Sequence, residues 1–227
     1  DLAKDIGAKL RLVHVLHVPA VDVNASVNVL DSLMESQQEN ADQRMQKCAA
    51  EITEKTGVAV EHCSKFGLAT DVIVEEAETS NAFLIVMGTN GVTGALDRLL
   101  GTVSYGVVKN AQTPTIVVPS NSEYTGFKRI AFADDHKDDL SEQMSFIYKL
   151  GRLHNAQLDL ISVEADRDEG EYNEECVVNE GGVKRVCIWA HTVLDGLDKY
   201  TSDNAIELLA IKHHQRSFFE NLLHKST

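Results

Sequence analysis

Two segments decide the fold of this chain: Ile85-Val86-Met87-Gly88-Thr89-Asn90-Gly91 and, after nine intervening residues, Gly101-Thr102-Val103-Ser104. Residues 83–87 form a short apolar run between turn-forming residues, which predicts a strand buried on both faces. A helix is predicted to begin near Gly101, because apolar residues recur at helical spacing from there until Pro114. The two segments therefore predict a strand, a glycine loop and the start of a helix.

The loop and the helix start have the chemistry of an anion site. Glycines at positions 88, 91 and 94 let the backbone turn and approach a ligand without a Cβ in the way. The first amides of the helix, at residues 102–104, have no partner within it and lie at the positive end of its dipole. This arrangement suits a polyphosphate, whereas the alternative is a surface loop with flexible glycines.

The glycine spacing G-x2-G-x9-G-[ST] resembles the nucleotide-binding signature of the universal stress protein family. Its positions are filled by Gly88, Gly91, Gly101 and Thr102. The P-loop pattern needs a Gly-Lys-Ser/Thr ending that does not occur, and the loop glycines do not fit the dinucleotide fingerprint. The context strengthens the resemblance, because an apolar strand precedes the loop and residues 115–119 resemble the closing strand of the family.

The resemblance implies a doubly wound, Rossmann-like α/β fold of the adenine nucleotide alpha hydrolase type, with a ligand at the carboxyl ends of parallel strands. The implied ligand is ATP, with AMP or ADP as alternatives and Mg²⁺ as the companion ion. Val15 would meet the adenine edge, Met87 the ribose or adenine, residues 88–91 the ribose and phosphates, and residues 101–104 the phosphates. The full implied set is Val15, Met87, Gly88, Thr89, Asn90, Gly91, Gly101, Thr102, Val103 and Ser104.

The composition of the chain limits which partners and which cellular setting are expected. The 227 residues carry 21 basic and 35 acidic side chains, and the net charge of −14 argues against nucleic acid or an anionic membrane as a partner. No apolar run reaches membrane-spanning length, and no signal peptide is expected before Leu2. The four cysteines are scattered without a C-x-x-C pair, which favours a reduced, cytoplasmic setting over a disulfide or zinc framework.

Strands and helices are predicted to alternate along the whole chain, which indicates a parallel sheet covered on both faces. The first half is predicted to contain a strand at 10–18, a helix at 26–56, a strand at 58–63 and a helix capped by Thr70 or Asp71. After a polar linker at 120–123, the second half is predicted to begin with a strand at 129–133. An Asp139-x-x-Glu142 capping box should start the helix that follows.

The second half repeats the first. Residues 8–15 line up with 156–163 at an offset of 148, and residues 81–85 line up with 204–208 at an offset of 123. The difference of 25 residues corresponds to the long helix at 26–56. The chain thus resembles a tandem universal stress protein with domains at 1–122 and 123–227, packed as an intramolecular pseudo-dimer, with a homodimer as an alternative.

The two halves are expected to differ in function. The first lacks the initial strand of the family but has the complete glycine signature. The second keeps an acidic strand end at Asp134 or Asp135, is shortened, and has no glycine between Lys212 and His224. The sequence is therefore expected to be truncated at both ends, and the complete chain is expected to bind one nucleotide, in the first half.

Three functional classes remain open. The first is an ATP-binding stress-response or signalling module with an unidentified protein partner. The second is a slow ATPase or phosphotransfer protein, and the third is a non-binding dimeric scaffold. The glycine signature favours the first class, and no catalytic residue or metal ligand is assigned, because Ser104 has no recognisable His and acid partners and the histidines have no metal-site spacing.

Overall fold

The computed structural model describes residues 1–18, 27–89, 101–120, 122–134, 141–164, 178–180 and 183–212. The described residues fall into two compact units, one made of those up to Ser122 and the other of those from Glu123 onward. The described helices are α1 (Leu2–Asp5), α2 (Val27–Thr56), α3 (Ala69–Thr79), α4 (Thr102–Asn110), α5 (Ser141–His154) and α6 (Val193–Asp203). The described strands are β1 (Leu10–Leu16), β2 (Val60–Phe66), β3 (Ile85–Gly88), β4 (Thr115–Val118), β5 (Arg129–Ala133), β6 (Gln157–Glu164), β7 (Val178–Glu180), β8 (Val183–Trp189) and β9 (Leu208–Ile211).

The first unit contains two parallel strand pairs, β1 with β2 and β3 with β4. Helix α2 packs on β1 and β2, and the small buried side chains of Ala41 and Ala49 let it approach them closely. Helices α3 and α4 contact each other, and they share a core with β3 built on Ala77, Ile85 and Val107. Val107 is completely buried, so α4 is anchored beside β3 by apolar packing.

The second unit contains a five-stranded sheet in the order β7-β8-β6-β5-β9. All neighbours are parallel except β7, which runs antiparallel to β8. Its main core cluster joins β5, β6 and β8 to α6, with the completely buried Leu197 and Tyr200 facing the sheet. The α/β class with parallel sheets is therefore confirmed, with β7 as an antiparallel addition.

The backbone conformation at the ends of two helices agrees with the internal repeat. Gly7 and Asn155 both have positive φ, at 66° and 51°, and their separation of 148 residues equals the offset of the matched segments that follow. Asn81 and Ala205 also have positive φ, but lie 124 residues apart, whereas β3 and β9 start 123 residues apart. The chain between helix and strand is thus one residue shorter in the second unit, a difference that the ungapped match of residues 81–85 does not show.

Several expectations are corrected by the structure. Val86 is 55% exposed, so β3 is not buried on both faces. The N-cap of α3 is Leu68, and Thr70 and Asp71 lie inside the helix. Strand β1 ends at Leu16 rather than at residue 18, and the second strand is shifted to Val60–Phe66. The capping box at 139–142 begins outside the described residues.

Candidate functional site

The candidate site begins where β3 ends. Gly88 is the last residue of β3 and lies opposite Val118 in the parallel register with β4. One residue further on, the Thr89 amide donates to the Val118 carbonyl at 3.1 Å, so the ladder to β4 continues through the first residue after the strand. A Cβ built on Gly88 would have the Val118 carbonyl oxygen, at 3.9 Å, as its nearest neighbour. Among the described residues, the strand end is therefore bare backbone that is held on its β4 side by the ladder.

Helix α4 supplies the second side of the site. Gly101 is its N-cap residue, in an extended conformation with φ −66° and ψ 163°. The Tyr105 amide donates to the Gly101 carbonyl at 2.9 Å, which is the first bond of the helical ladder. The amides of Thr102, Val103 and Ser104 precede that bond, and a helix has no internal acceptors for them. Gly101 itself has no side chain to cap them.

Ser104 joins these two sides. Its side chain is buried, with 4% of the residue exposed, and its hydroxyl donates to the Gly88 carbonyl at 3.1 Å. Val103 packs against the core of Ala77, Ile85 and Val107. The strand end and the helix start are thus connected both by apolar contacts and by one directional hydrogen bond.

The residues assigned from the sequence have different positions in the structure. Met87, Gly88 and Thr89 lie at the end of β3, and residues 101–104 lie at the start of α4, so these two groups are brought together. Val15 lies in β1, opposite Lys65, within a separate hydrogen-bonded strand pair. Asn90 and Gly91 are outside the described residues.

A charged cluster that the sequence analysis did not anticipate surrounds Glu76 of α3. This carboxylate is 3% exposed and accepts bonds from the Arg11 guanidinium, with Nη2 at 2.8 Å, and from the Lys65 ammonium at 2.5 Å. The Cys63 thiol lies 3.3 Å from the same carboxylate. The cluster therefore links β1 and β2 to α3.

The cluster shifts the acidity of its members. The hydrogen bond from Lys65 is the main cause that lowers the pKa of Glu76 to about 2, with Arg11 and Cys63 acting in the same direction against the effect of burial. Burial, followed by the hydrogen bond with Glu76, raises the pKa of Cys63 and so disfavours its thiolate. The carboxylate is buried among its partners, so it has no open position for a substrate, and removing one partner would leave a buried charge uncompensated.

A second buried carboxylate lies in the other unit. Asp159 of β6 is 1% exposed and accepts from Arg129 at 2.7 Å, from Gln157 at 3.0 Å and from Tyr200 at 3.1 Å. The only signal in the sequence was a charged residue in an apolar strand, which does not identify its partners. Both carboxylates are therefore structural features that depend on packing.

Two features are absent from the described part of the chain. There, no group of three or more His, Cys, Asp or Glu side chains is arranged to hold a metal ion. None of the helices described is both long enough and apolar enough to cross a membrane.

Comparisons with known proteins identify a family for the first part of the chain. The family model described as "Universal stress protein family" matches residues 1–119, just over half of the chain. Universal stress protein MJ0531 of Methanocaldococcus jannaschii is 36% identical over 121 residues, which cover 52% of this chain and 69% of that protein. Universal stress protein MJ0577 of the same organism is 29% identical over 111 residues, which cover 48% of this chain and 68% of that protein.

Similar solved structures extend over both units. The crystal structure of a universal stress protein from Archaeoglobus fulgidus superposes with a TM-score of 0.70 at 18% identity, covering 92% of this chain and 77% of that one. A putative universal stress protein from Pseudomonas aeruginosa gives a TM-score of 0.56 at 14% identity, covering 97% and 87% respectively. At these identities the likeness establishes the fold and leaves the ligand open.

Proposed function

The chain belongs to the universal stress protein family, and on that premise we propose that its first domain, residues 1–122, binds an adenine nucleotide. ATP is the proposed ligand, with AMP or ADP as alternatives and Mg²⁺ as its companion ion. The second domain, residues 123–227, is proposed as a structural partner in a pseudo-dimer. The proposed role is a cytoplasmic stress-response or signalling module, in which nucleotide occupancy changes the surface presented to a partner protein.

One observation supports this proposal above the others: the start of α4 lies beside the end of β3. Gly101 at the N-cap has no side chain, and Ser104 holds the helix start to Gly88. The amides of residues 102–104 can donate to phosphate oxygens, and the helix dipole favours the negative charge. A branched side chain at position 101 would occupy the space that the phosphates need.

The residues present suit the nucleotide in a specific way. Backbone amides hold phosphates without a charged side chain, which agrees with a cradle that has no Walker-type lysine. Met87 is half-buried at the end of β3 and can offer an apolar contact to the ribose or base. The proposed chemistry is binding, since these residues hold and orient a nucleotide and none of them is placed to abstract a proton.

The test is calorimetric titration of the full chain with ATP, AMP and a cyclic nucleotide, with and without Mg²⁺. We expect ATP to saturate near one per chain, because the glycine signature occurs in the first half alone. Gly101→Val should reduce ATP affinity by at least about a hundredfold, by displacing the phosphates from several charge-assisted hydrogen bonds. Gln112→Val is the matched control, since it places the same side chain just beyond the other end of α4 at an exposed position.

The outcomes separate the remaining classes. Unchanged ATP affinity in a folded Gly101→Val protein would show that the site lies elsewhere. No binding by the wild-type chain would favour a scaffold, and release of phosphate during the titration would favour a slow ATPase.

A further inference from the structure

We propose that Ser104 is a positioning residue of this nucleotide site and that its hydroxyl is not a phosphate ligand; the inference rests on the proposed function. A serine hydroxyl has one proton to donate. In Ser104 that proton is directed to the Gly88 carbonyl, at 3.1 Å, and the side chain is buried. Phosphate oxygens only accept hydrogen bonds, so Ser104 cannot donate to a phosphate while this bond persists.

The bond acts on a peptide that is held from both sides. The Gly88 carbonyl accepts from Ser104 of α4, and the amide of the same peptide, that of Thr89, donates to Val118 of β4 at 3.1 Å. The plane of this peptide is therefore fixed between the helix and the neighbouring strand. Its orientation determines the direction in which the chain leaves β3 towards the proposed ligand.

Apolar packing alone would not give the same precision. Val107 is completely buried and Val103 packs on the same core, so α4 is held against β3. However, hydrophobic contact is non-directional and resists a small slide or rotation of the helix only weakly. A hydrogen bond depends on distance and angle, so the Ser104 bond sets where the amides of residues 102–104 lie relative to the strand end.

A positioning role and a direct contact with phosphate predict different affinities for two ligands, ATP and inorganic tripolyphosphate. ATP would contact both the strand end and the helix start, whereas inorganic tripolyphosphate would contact only the helix amides. In Ser104→Ala, ATP affinity should fall about three- to tenfold, the effect of one net hydrogen bond. Tripolyphosphate affinity should change by less than about twofold, because that ligand does not depend on the relative placement of the two elements.

The variants are chosen so that folding and positioning can be separated. Ser104→Thr retains the hydroxyl but adds a methyl group at a buried position, so it should bind ATP more tightly than Ser104→Ala. Ser80→Ala is the matched control, because it removes a hydroxyl bond to a backbone carbonyl, that of Glu76 at 2.6 Å, at the end of α3. If Ser104→Ala has a lower melting temperature than the control, Ser104→Cys takes its place, because it keeps an atom at the γ position but offers only a weak donor.

A measurement on the ligand-free chain tests the bond itself. Backbone amide hydrogen exchange at Thr89 should be faster in Ser104→Ala than in the wild type and in Ser80→Ala, because the peptide loses one of its two anchors. Unchanged exchange at Thr89 would overturn the inference, even if the wild-type chain bound no nucleotide.

The binding data have equally definite consequences. If Ser104→Ala weakens ATP and tripolyphosphate by the same factor, Ser104 is a direct phosphate ligand and the inference is wrong. If it lowers the melting temperature without changing either affinity, its role is purely structural and the inference is also wrong. If the wild-type chain binds neither ligand, the proposed function fails instead, and the exchange measurement decides whether the bond positions the peptide.

Discussion

The two units place corresponding strands in different surroundings. In the second unit β5 lies between β6 and β9 and pairs with both. In the first unit β1 corresponds to β6 and β3 to β9, yet within the described residues β1 pairs with β2, and β3 with β4, as separate ladders. Corresponding segments therefore form strands of similar length in both units, but these strands pair with different neighbours.

The units also differ in how they bury charge. Asp159 is bound by groups from its own sheet and from α6, and the side chain of its partner Arg129 is 27% exposed. Glu76 comes from a helix, and the side chains of its partners Arg11 and Lys65 are 38% and 42% exposed. The second unit thus has the drier network, and the loss of its carboxylate should be the more costly of the two.

The largest expected effect is that of Asp159→Ala. It leaves the donors of Arg129, Gln157 and Tyr200 without their acceptor, and the loss of one member of a buried ion pair costs about 3–5 kcal/mol. Urea unfolding followed by the fluorescence of Trp189, the single tryptophan, reports on this unit. Asp203→Ala, at an exposed position of α6, is the control, and equal midpoints for the two variants would contradict the prediction.

Glu76→Gln should have a smaller effect on the first unit. The buried carboxylate loses its charge, but water can reach the partly exposed Arg11 and Lys65, so we expect a loss of about 2 kcal/mol. Amide hydrogen exchange in β1 and β2 measures this loss, because weaker packing of α3 on the strands lets them open more often. Glu75→Gln is a close control, because that side chain is 68% exposed and lies 3.6 Å from the same lysine. A Glu75 effect as large as that of Glu76 would show that burial is unimportant.

Acid should remove the contribution of Glu76 to the stability of the wild-type chain. The pKa of Glu76 is lowered from 4.5 to about 2, so its contribution to stability is fully present above pH 4.5 and is lost as the pH falls towards 2. The unfolding free energy of the first unit should therefore decrease over this window more steeply in the wild type than in Glu76→Gln. Parallel pH profiles for the two proteins would refute the assignment.

The smallest expected effect on stability is that of alanine substitutions at two tightly packed glycines. A Cβ at Gly196 would lie 2.7 Å from a Val163 methyl group and 3.1 Å from the Ala190 Cβ, neither of which moves easily. A Cβ at Gly106 would meet one side chain only, that of Thr70, with Oγ1 at 2.6 Å and Cγ2 at 3.0 Å, and alanine favours both helices by up to about 1 kcal/mol. Gly196→Ala should therefore destabilise by about 1–2 kcal/mol and Gly106→Ala by less than about 1. Thermal unfolding that ranks them in the reverse order would contradict this reasoning.

Local features were well predicted where the chemistry is local. The start of α4 after Gly101 and the strand at Thr115–Val118 are confirmed, because glycine, proline and apolar spacing act within a few residues. The start of α3 was predicted wrongly, since Leu68 rather than a polar residue precedes the helix. There the helix position is set by tertiary packing, with Val72 and Ala77 buried, rather than by a capping side chain.

Burial was harder to predict than secondary structure. The apolar run around Val86 indicated a strand covered on both faces, but 55% of Val86 is exposed in the structure. An apolar sequence shows that a residue can be buried, whereas the elements that pack over it determine whether it is. The one-residue difference between the units before β3 and β9 was not predicted either. It appears in the positions of Asn81 and Ala205, whose positive φ marks the geometry of each helix end.

The sequence by itself determined the strand, the glycine spacing and the helix start of the candidate site, because these follow from backbone freedom and from periodicity along the chain. Only the tertiary structure decided which groups face one another. The Ser104 hydroxyl reaches a carbonyl 16 residues away, and Arg11 reaches a carboxylate 65 residues away. Hydrogen bonds need a specific distance and angle, and those depend on how whole helices and strands pack.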